Sequence, residues 1–146
     1  MMKTKHLALF FVTLLTSAAL FAETYVAGPK GGRLLDAEPH KAEFFVTEDR
    51  KVEITFYDAG LKPVQRGSQV ATVTAETQSG KTRVGLEATA NGFVSRDPLP
   101  PGEPYRVVVQ TRASTEAKPK NFRIDLNLEN CAECNHPEYA CTCEGH

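Results

Sequence analysis

Four cysteines near the C-terminus have the residue type and the spacing to bind a metal ion or to form disulfides. They form a C-x2-C-x6-C-x-C array, in which thiolates two or three positions apart can converge on one ion. Four sulfurs match a tetrahedral zinc site or a small Cu(I) thiolate site, and two nearby histidines could add further ligands. The sequence therefore predicts a bound transition metal ion, zinc or copper. The predicted metal ligands are Cys131, Cys134, Cys141, Cys143, His136 and His146.

The same four cysteines could instead form two disulfides, as they commonly do in exported proteins. A bridge directly between Cys141 and Cys143 would be strained, so Cys131 and Cys134 would pair with those two across the loop. A third alternative is thiol–disulfide exchange at the first pair, although the sequence predicts no helix N-terminus to lower the pKa of either thiol. The three alternatives stay open, and the two histidines beside the cysteines favour metal.

The first 22 residues are typical of a secretory signal peptide. Two lysines precede an apolar run from Leu7 to Leu15, and small residues follow it. The run is too short for a bilayer anchor, which needs about 20 apolar residues. Cleavage after Ala22, or alternatively after Ala19, would deliver the chain to the periplasm with no transmembrane segment. The predicted organisation is a signal peptide at residues 1–22, a β-sandwich domain at 23–129 and a Cys/His-rich tail at 130–146.

Composition excludes several classes of function. The chain has 146 residues with 17 Lys+Arg, 18 Asp+Glu and a net charge of -1, so it lacks the excess of basic residues that nucleic-acid binding requires. Both methionines lie in the predicted signal peptide, and there is no tryptophan. A thioether copper site is therefore excluded from the mature chain, and any soft metal ligand must be a cysteine.

Apolar residues alternate with polar ones along most of the mature chain. In the clearest run, Phe122, Ile124, Leu126 and Leu128 alternate with polar residues, which predicts a strand with one buried face. Similar runs cover residues 44–46, 52–57, 70–75, 83–88, 93–95 and 105–111. About seven or eight strands at this spacing predict an all-β, immunoglobulin-like antiparallel β-sandwich with an irregular Cys-rich C-terminal tail. We expect this tail to be a mobile arm outside the core.

Turn residues separate the predicted strands. The Asn91-Gly92 pair predicts a tight hairpin because it tolerates positive φ, and the proline-rich segment 97–104 predicts a rigid loop. The segment 79–82 has the Gly-Lys-Thr end of a phosphate-binding loop, but Ala75 stands where that motif needs a glycine, so it predicts another hairpin. His40 has no nucleophilic partner indicated by the sequence. We therefore expect no enzymatic activity.

Three motifs between residues 28 and 64 add a family resemblance. They are G-P-K-G-G-R-L-L at 28–35, P-H-K-A-E-F at 39–44, and V-E-I-T-F-Y-D at 52–58 followed by L-K-P-V at 61–64. This segment resembles the small β-rich periplasmic domain associated with heavy-metal efflux systems of the resistance-nodulation-division type. The resemblance implies an exported, non-enzymatic metal-handling accessory with an immunoglobulin-like fold. Its partners would be a periplasmic adaptor or other efflux components, although the chain lacks the long coiled hairpin of a complete adaptor.

Overall fold

The computed structural model describes residues 25–143 and shows an all-β protein built from two antiparallel sheets. The predicted all-β sandwich is confirmed. The predicted signal peptide and His146 lie outside the described residues. The strands are β1 (Arg33–Leu35), β2 (Lys41–Val46), β3 (Val52–Tyr57), β4 (Val70–Thr77), β5 (Gly80–Val84), β6 (Leu86–Ala88), β7 (Gly92–Ser95), β8 (Tyr105–Arg112) and β9 (Lys120–Leu126).

Residues 25–143 form nine strands, rather than seven or eight, because alternation alone does not separate the shortest strands. The run at 83–88 is divided at Gly85, so β5 belongs to one sheet and β6 to the other. The order is β1-β2-β3-β7-β6 in the five-stranded sheet and β5-β4-β8-β9 in the four-stranded sheet. Among residues 25–143, no helix is long and apolar enough to cross a membrane.

The core lies between the two sheets and follows the predicted alternation. On β9, Ile124 and Leu126 are fully buried while Arg123 and Asp125 are exposed. Period-2 side-chain direction explains this pattern, because successive residues of a strand point to opposite faces. The largest fully buried apolar side chains are Phe44, Phe56, Ile54, Leu99, Ile124 and Leu126.

The turns lie where the sequence predicts them, but at Gly92 the physical reason for the glycine differs from the predicted one. The β4–β5 hairpin forms where it was predicted, and it turns at Gln78 and Ser79 with Gly80 opposite Thr77. Gly92, however, does not adopt positive φ. A side chain there would overlap the carbonyl oxygen of Ile54 on the neighbouring β3, so glycine is required by close packing of two strands.

From its polar sequence we expected the C-terminal segment to be a mobile arm outside the core. This expectation was wrong, because the segment packs into the core. A single-turn 3-10 helix at Glu138–Ala140 places Tyr139 and Ala140 in the hydrophobic core, at 3% and 0% exposure. The physical cause is the ring of Tyr139, because one aromatic ring buries enough apolar area to hold a short segment on the sandwich. We call residues 130–146 the cysteine tail, of which residues 130–143 are described.

Candidate metal centre

Backbone hydrogen bonds fold the cysteine tail into a closed loop beside the end of β9. The amide of Glu138 donates to the carbonyl of Glu129 at 2.8 Å, which brings the tail back alongside the residues that follow β9. The amide of Cys131 donates to the carbonyl of His136 at 2.9 Å and closes the loop that contains the first two cysteines. The loop is therefore held at its base before any side chain of the cysteines is considered.

Tyr139 anchors this loop to the five-stranded sheet. Its ring meets Phe44 edge-to-face, with centroids 5.7 Å apart and planes at 85°. Its hydroxyl accepts a hydrogen bond from the amide of Val46 at 3.0 Å. The paired part of β1 reaches only to Arg33, opposite Phe44, so the tyrosine takes a place on β2 that β1 does not fill. Burial raises the pKa of Tyr139 to about 12, so the anchor is neutral under ordinary conditions.

The anchored loop brings the four cysteine sulfurs together. The Sγ of Cys141 lies 3.0 Å from that of Cys131 and 3.6 Å from that of Cys134, and the Sγ of Cys143 lies 3.8 Å from that of Cys131. All four sulfurs lie within 4.8 Å of one another. A tetrahedral zinc site with bonds of about 2.3 Å has sulfurs roughly 3.8 Å apart. The four cysteines are thus placed where they could bind one metal ion.

The sulfurs sit at the boundary between core and solvent. Cys131 and Cys141 are buried, and Cys134 and Cys143 are half-buried. None of the four forms a disulfide in the structure. This position shields one side of the site from water while leaving an access route for an ion on the other side.

Backbone amides already support a negative charge within the cluster. Hydrogen bonds from the amides of Thr142 and His136 lower the pKa of Cys134 to about 6. The hydrogen bond that Cys141 shares with the sulfur of Cys131 raises the pKa of Cys141. The hydrogen bond that Cys143 shares with the sulfur of Cys141 raises the pKa of Cys143. A thiolate on Cys134 is therefore favoured while Cys141 and Cys143 resist ionisation, and a bound cation would stabilise several thiolates at once.

The two predicted histidine ligands have different outcomes. His136 is half-buried, and its Nδ1 lies 3.7 Å from the place that a Cβ on Gly31 would occupy. The group of ligand atoms within 4.8 Å of one another consists of the four sulfurs and does not contain His136. His136 instead contributes its backbone, as acceptor from Cys131 and donor to Cys134. His146 lies outside the described residues.

A second polar cluster, which the sequence did not reveal, lies close to the tail. The carboxylate of Glu43 is fully buried and accepts hydrogen bonds from the amides of Lys30 at 2.9 Å and Gly32 at 2.8 Å, and from the hydroxyl of Tyr57 at 2.9 Å. A side chain at Gly28 would overlap this carboxylate. We call residues 28–32 the glycine loop. All three motifs that carry the family resemblance thus meet at one structural contact, which buries a carboxylate and leaves it fully paired.

Sequence reasoning also missed Tyr139, the residue that anchors the segment carrying the four cysteines. A signal was present, because Tyr139 is the one aromatic residue in residues 130–146. An isolated aromatic side chain in a polar segment is a candidate anchor, since its burial is strongly favourable.

Comparisons of the chain with protein-family models, with curated proteins and with solved structures found no match. The resemblance to an efflux-associated domain therefore stays a prediction, and the site is interpreted from its own geometry.

Proposed function

We propose that this protein is an exported, periplasmic metal-binding accessory that holds one transition metal ion in its cysteine tail and serves metal efflux or homeostasis. The observation that carries the proposal is the convergence of the four sulfurs within 4.8 Å on a segment anchored in the core. Four soft ligands in this arrangement match the donor set that zinc and Cu(I) prefer.

Zinc is the metal we favour, with Cu(I) as the alternative. Four thiolates at tetrahedral spacing complete the coordination of Zn²⁺, and such closed sites are structural, whereas catalytic zinc keeps a position open for water or substrate. The amide donors to Cys134 supply the outer hydrogen bonds that metal-bound thiolates require. A closed set of protein ligands supports a role in holding metal, and does not supply the open position that catalysis would use.

A second candidate function is a disulfide-stapled interaction module of the cell envelope. It is favoured by the 3.0 Å separation of the Cys131 and Cys141 sulfurs, the closest pair of sulfurs among the hydrogen-bonded cysteines. In that case Cys131 would bridge to Cys141, and Cys134 to Cys143. Both pairings join the first two cysteines to the last two, which matches the expectation from strain.

Elemental analysis and intact mass of the protein purified from its native compartment without reductant separate the two functions. We expect one metal ion per chain and four alkylatable thiols after chelation. The C131S/C141S variant should lose the metal, because two thiolates cannot complete the site. The H136A variant is the matched control and should retain it, since the sulfur cluster does not include His136. A mass with two disulfides and no metal would establish the second function instead.

Export and the link to efflux are supported by the N-terminal pattern and by the resemblance of residues 28–64. N-terminal sequencing of the protein from a periplasmic fraction tests export, and we expect a start at Glu23 or at Leu20. Recovery of an intact N-terminus in the cytoplasmic fraction would contradict it. Deletion of the gene should lower the concentration of zinc or copper that the cells tolerate, and unchanged tolerance to both metals would count against the link to efflux.

A further inference from the structure

The outward surface of the four-stranded sheet carries an excess of cations. Its outward-pointing charged residues, which we call the basic face, follow from the strand register. They comprise five cations, Lys81, Arg83, Arg106, Arg112 and Arg123, and two anions, Glu76 and Asp125. The whole chain has a net charge of -1, so positive charge is concentrated on this one surface.

The register places these cations around one carboxylate. Glu76 lies directly opposite Lys81 on β5 and Arg106 on β8. Arg83 lies opposite Thr74, two residues before Glu76, and is therefore a diagonal neighbour of Glu76. Arg123 lies opposite Val108 and is a diagonal neighbour of Arg106. Cations thus occupy three of the four strands, β5, β8 and β9, and flank the carboxylate of Glu76 on β4.

Much of the positive charge is not neutralised within the sheet. The Nζ of Lys81 lies 2.7 Å from Oε1 of Glu76, and the Nε of Arg106 lies 3.6 Å from Oδ1 of the exposed Asp125. Within residues 25–143, neither Arg83 nor Arg123 forms an ion pair, and both are exposed. The hydrogen bond from Lys81 and the charges of Lys81, Arg106 and Arg123 lower the pKa of Glu76, which reports the positive potential at the centre of the face.

The chemistry of the face discriminates between classes of anionic partner. The large apolar side chains that are exposed in the described residues are Val26 and Leu61, and neither lies on these strands. Insertion into a lipid surface relies on such side chains, so a membrane is disfavoured. Four of the five cations are arginines, whose planar guanidinium pairs with carboxylates through two hydrogen bonds. Arg83 and Arg123 lie in one row across the sheet, three strand spacings or about 14 Å apart, which is close to the span of four residues in an extended segment.

We propose that the basic face is a docking surface for an extended, acidic segment of another protein. Carboxylates four positions apart in a segment that lies across the strands pair with Arg83 and Arg123, while Glu76 repels it. The surface is formed by β4, β5, β8 and β9 and shares no residue with the four cysteines. It is therefore independent of the proposed metal function, and either can fail without the other.

Binding of a synthetic peptide of alternating Glu and Ser, followed by fluorescence anisotropy with the full chain, tests the proposal. We expect binding that weakens as salt rises, because exposed charges are screened. The R83E/R123E variant should bind about tenfold or more weakly, and E76Q should bind several-fold more tightly. The K62E/R96E variant changes the net charge equally but lies outside β4, β5, β8 and β9, so it should bind within about twofold of the wild type.

Three results would overturn the proposal. They are absence of peptide binding at low salt, equal weakening by R83E/R123E and K62E/R96E, and binding to phosphatidylglycerol vesicles without binding to the peptide. The R83Q/R123Q variant removes the same guanidinium groups without adding carboxylates, and should weaken binding in the same direction. An unchanged thermal transition shows that each variant keeps its fold, as expected for exposed side chains.

Discussion

The glycine loop and the cysteine tail are both irregular segments that pack on the sandwich, but they satisfy their polar groups in different ways. In the glycine loop, two backbone amides and one hydroxyl saturate the buried carboxylate of Glu43. In the cysteine tail, the amides of Thr142 and His136 favour a thiolate on Cys134, while shared sulfur contacts oppose ionisation of Cys141 and Cys143.

We therefore expect the two segments to differ in their response to a metal ion. A buried polar group that is fully paired by the chain itself needs no ligand, whereas clustered thiols can ionise together only when a cation compensates their charge. The glycine loop should therefore behave as part of the fold in all conditions. The cysteine tail should respond to metal, to substitution of its anchor and to pH.

Removal of the proposed metal ion should have the largest effect, and only on the cysteine tail. Structural zinc sites contribute on the order of 10 kcal/mol of binding free energy, so chelation should speed amide hydrogen exchange in residues 131–143 by several orders of magnitude. The amide of Val46, which donates to Tyr139, should lose protection with the tail. The amides of Lys30 and Gly32 are the internal control and should keep theirs. Equal loss of protection in both segments would show that they are one cooperative unit.

Substitution of Tyr139 by Ala should have the next largest effect. Loss of a buried aromatic side chain destabilises by about 3 to 5 kcal/mol, which denaturant unfolding of the metal-loaded protein can measure. The Y139F variant is the matched control, because it keeps the contact with Phe44 and removes only the acceptor for Val46. Its destabilisation should be about 1 kcal/mol. An alanine variant as stable as wild type would mean that the ring does not anchor the tail.

Substitution of Glu43 by Gln should destabilise the glycine loop by about 1 to 3 kcal/mol, since an amide NH₂ would face donors that now meet a carboxylate oxygen. Metal stoichiometry should stay at its wild-type value, which elemental analysis of the folded variant would check. The neighbouring E53Q change is a control at a half-buried position and should have a smaller effect on unfolding. Loss of metal from the folded E43Q protein would show that the two segments are coupled.

The smallest effect concerns the pH dependence of one thiol in the reduced, metal-free protein. With a pKa of about 6 for Cys134, its alkylation by iodoacetamide should rise about tenfold between pH 5 and pH 7. Because its pKa is lowered, the thiolate of Cys134 also stabilises the fold. This stabilisation is complete above pH 9.0, the ordinary pKa of the thiol, and is lost as pH falls through about 6. Peptide mapping should place the fast reaction on Cys134, and C134S should abolish it. A midpoint near pH 9 would contradict the amide hydrogen bonds as its cause.

Most of the fold was predictable because strands with one buried face leave a period-2 pattern. The run at 122–128 predicted β9 and its inward residues, and Gly80 predicted the β4–β5 hairpin. The division at Gly85 was not predictable, because alternation continues through it while the chain passes from one sheet to the other. The predicted reason for glycine at Gly92, positive φ, was wrong. The actual reason is its close approach to Ile54, which depends on the packing of two strands and cannot be inferred from the local sequence.

The amino-acid sequence is enough to predict the all-β class, the alternation of buried and exposed residues, and a soft donor set confined to residues 131–143. Those features follow from residue types and local periodicity. Three further features depend on tertiary contacts: Tyr139 anchors the tail, the four sulfurs converge without His136, and Glu43 is buried under the glycine loop. Each of these depends on contacts between residues far apart in the chain, and such contacts exist only once the two sheets have packed together.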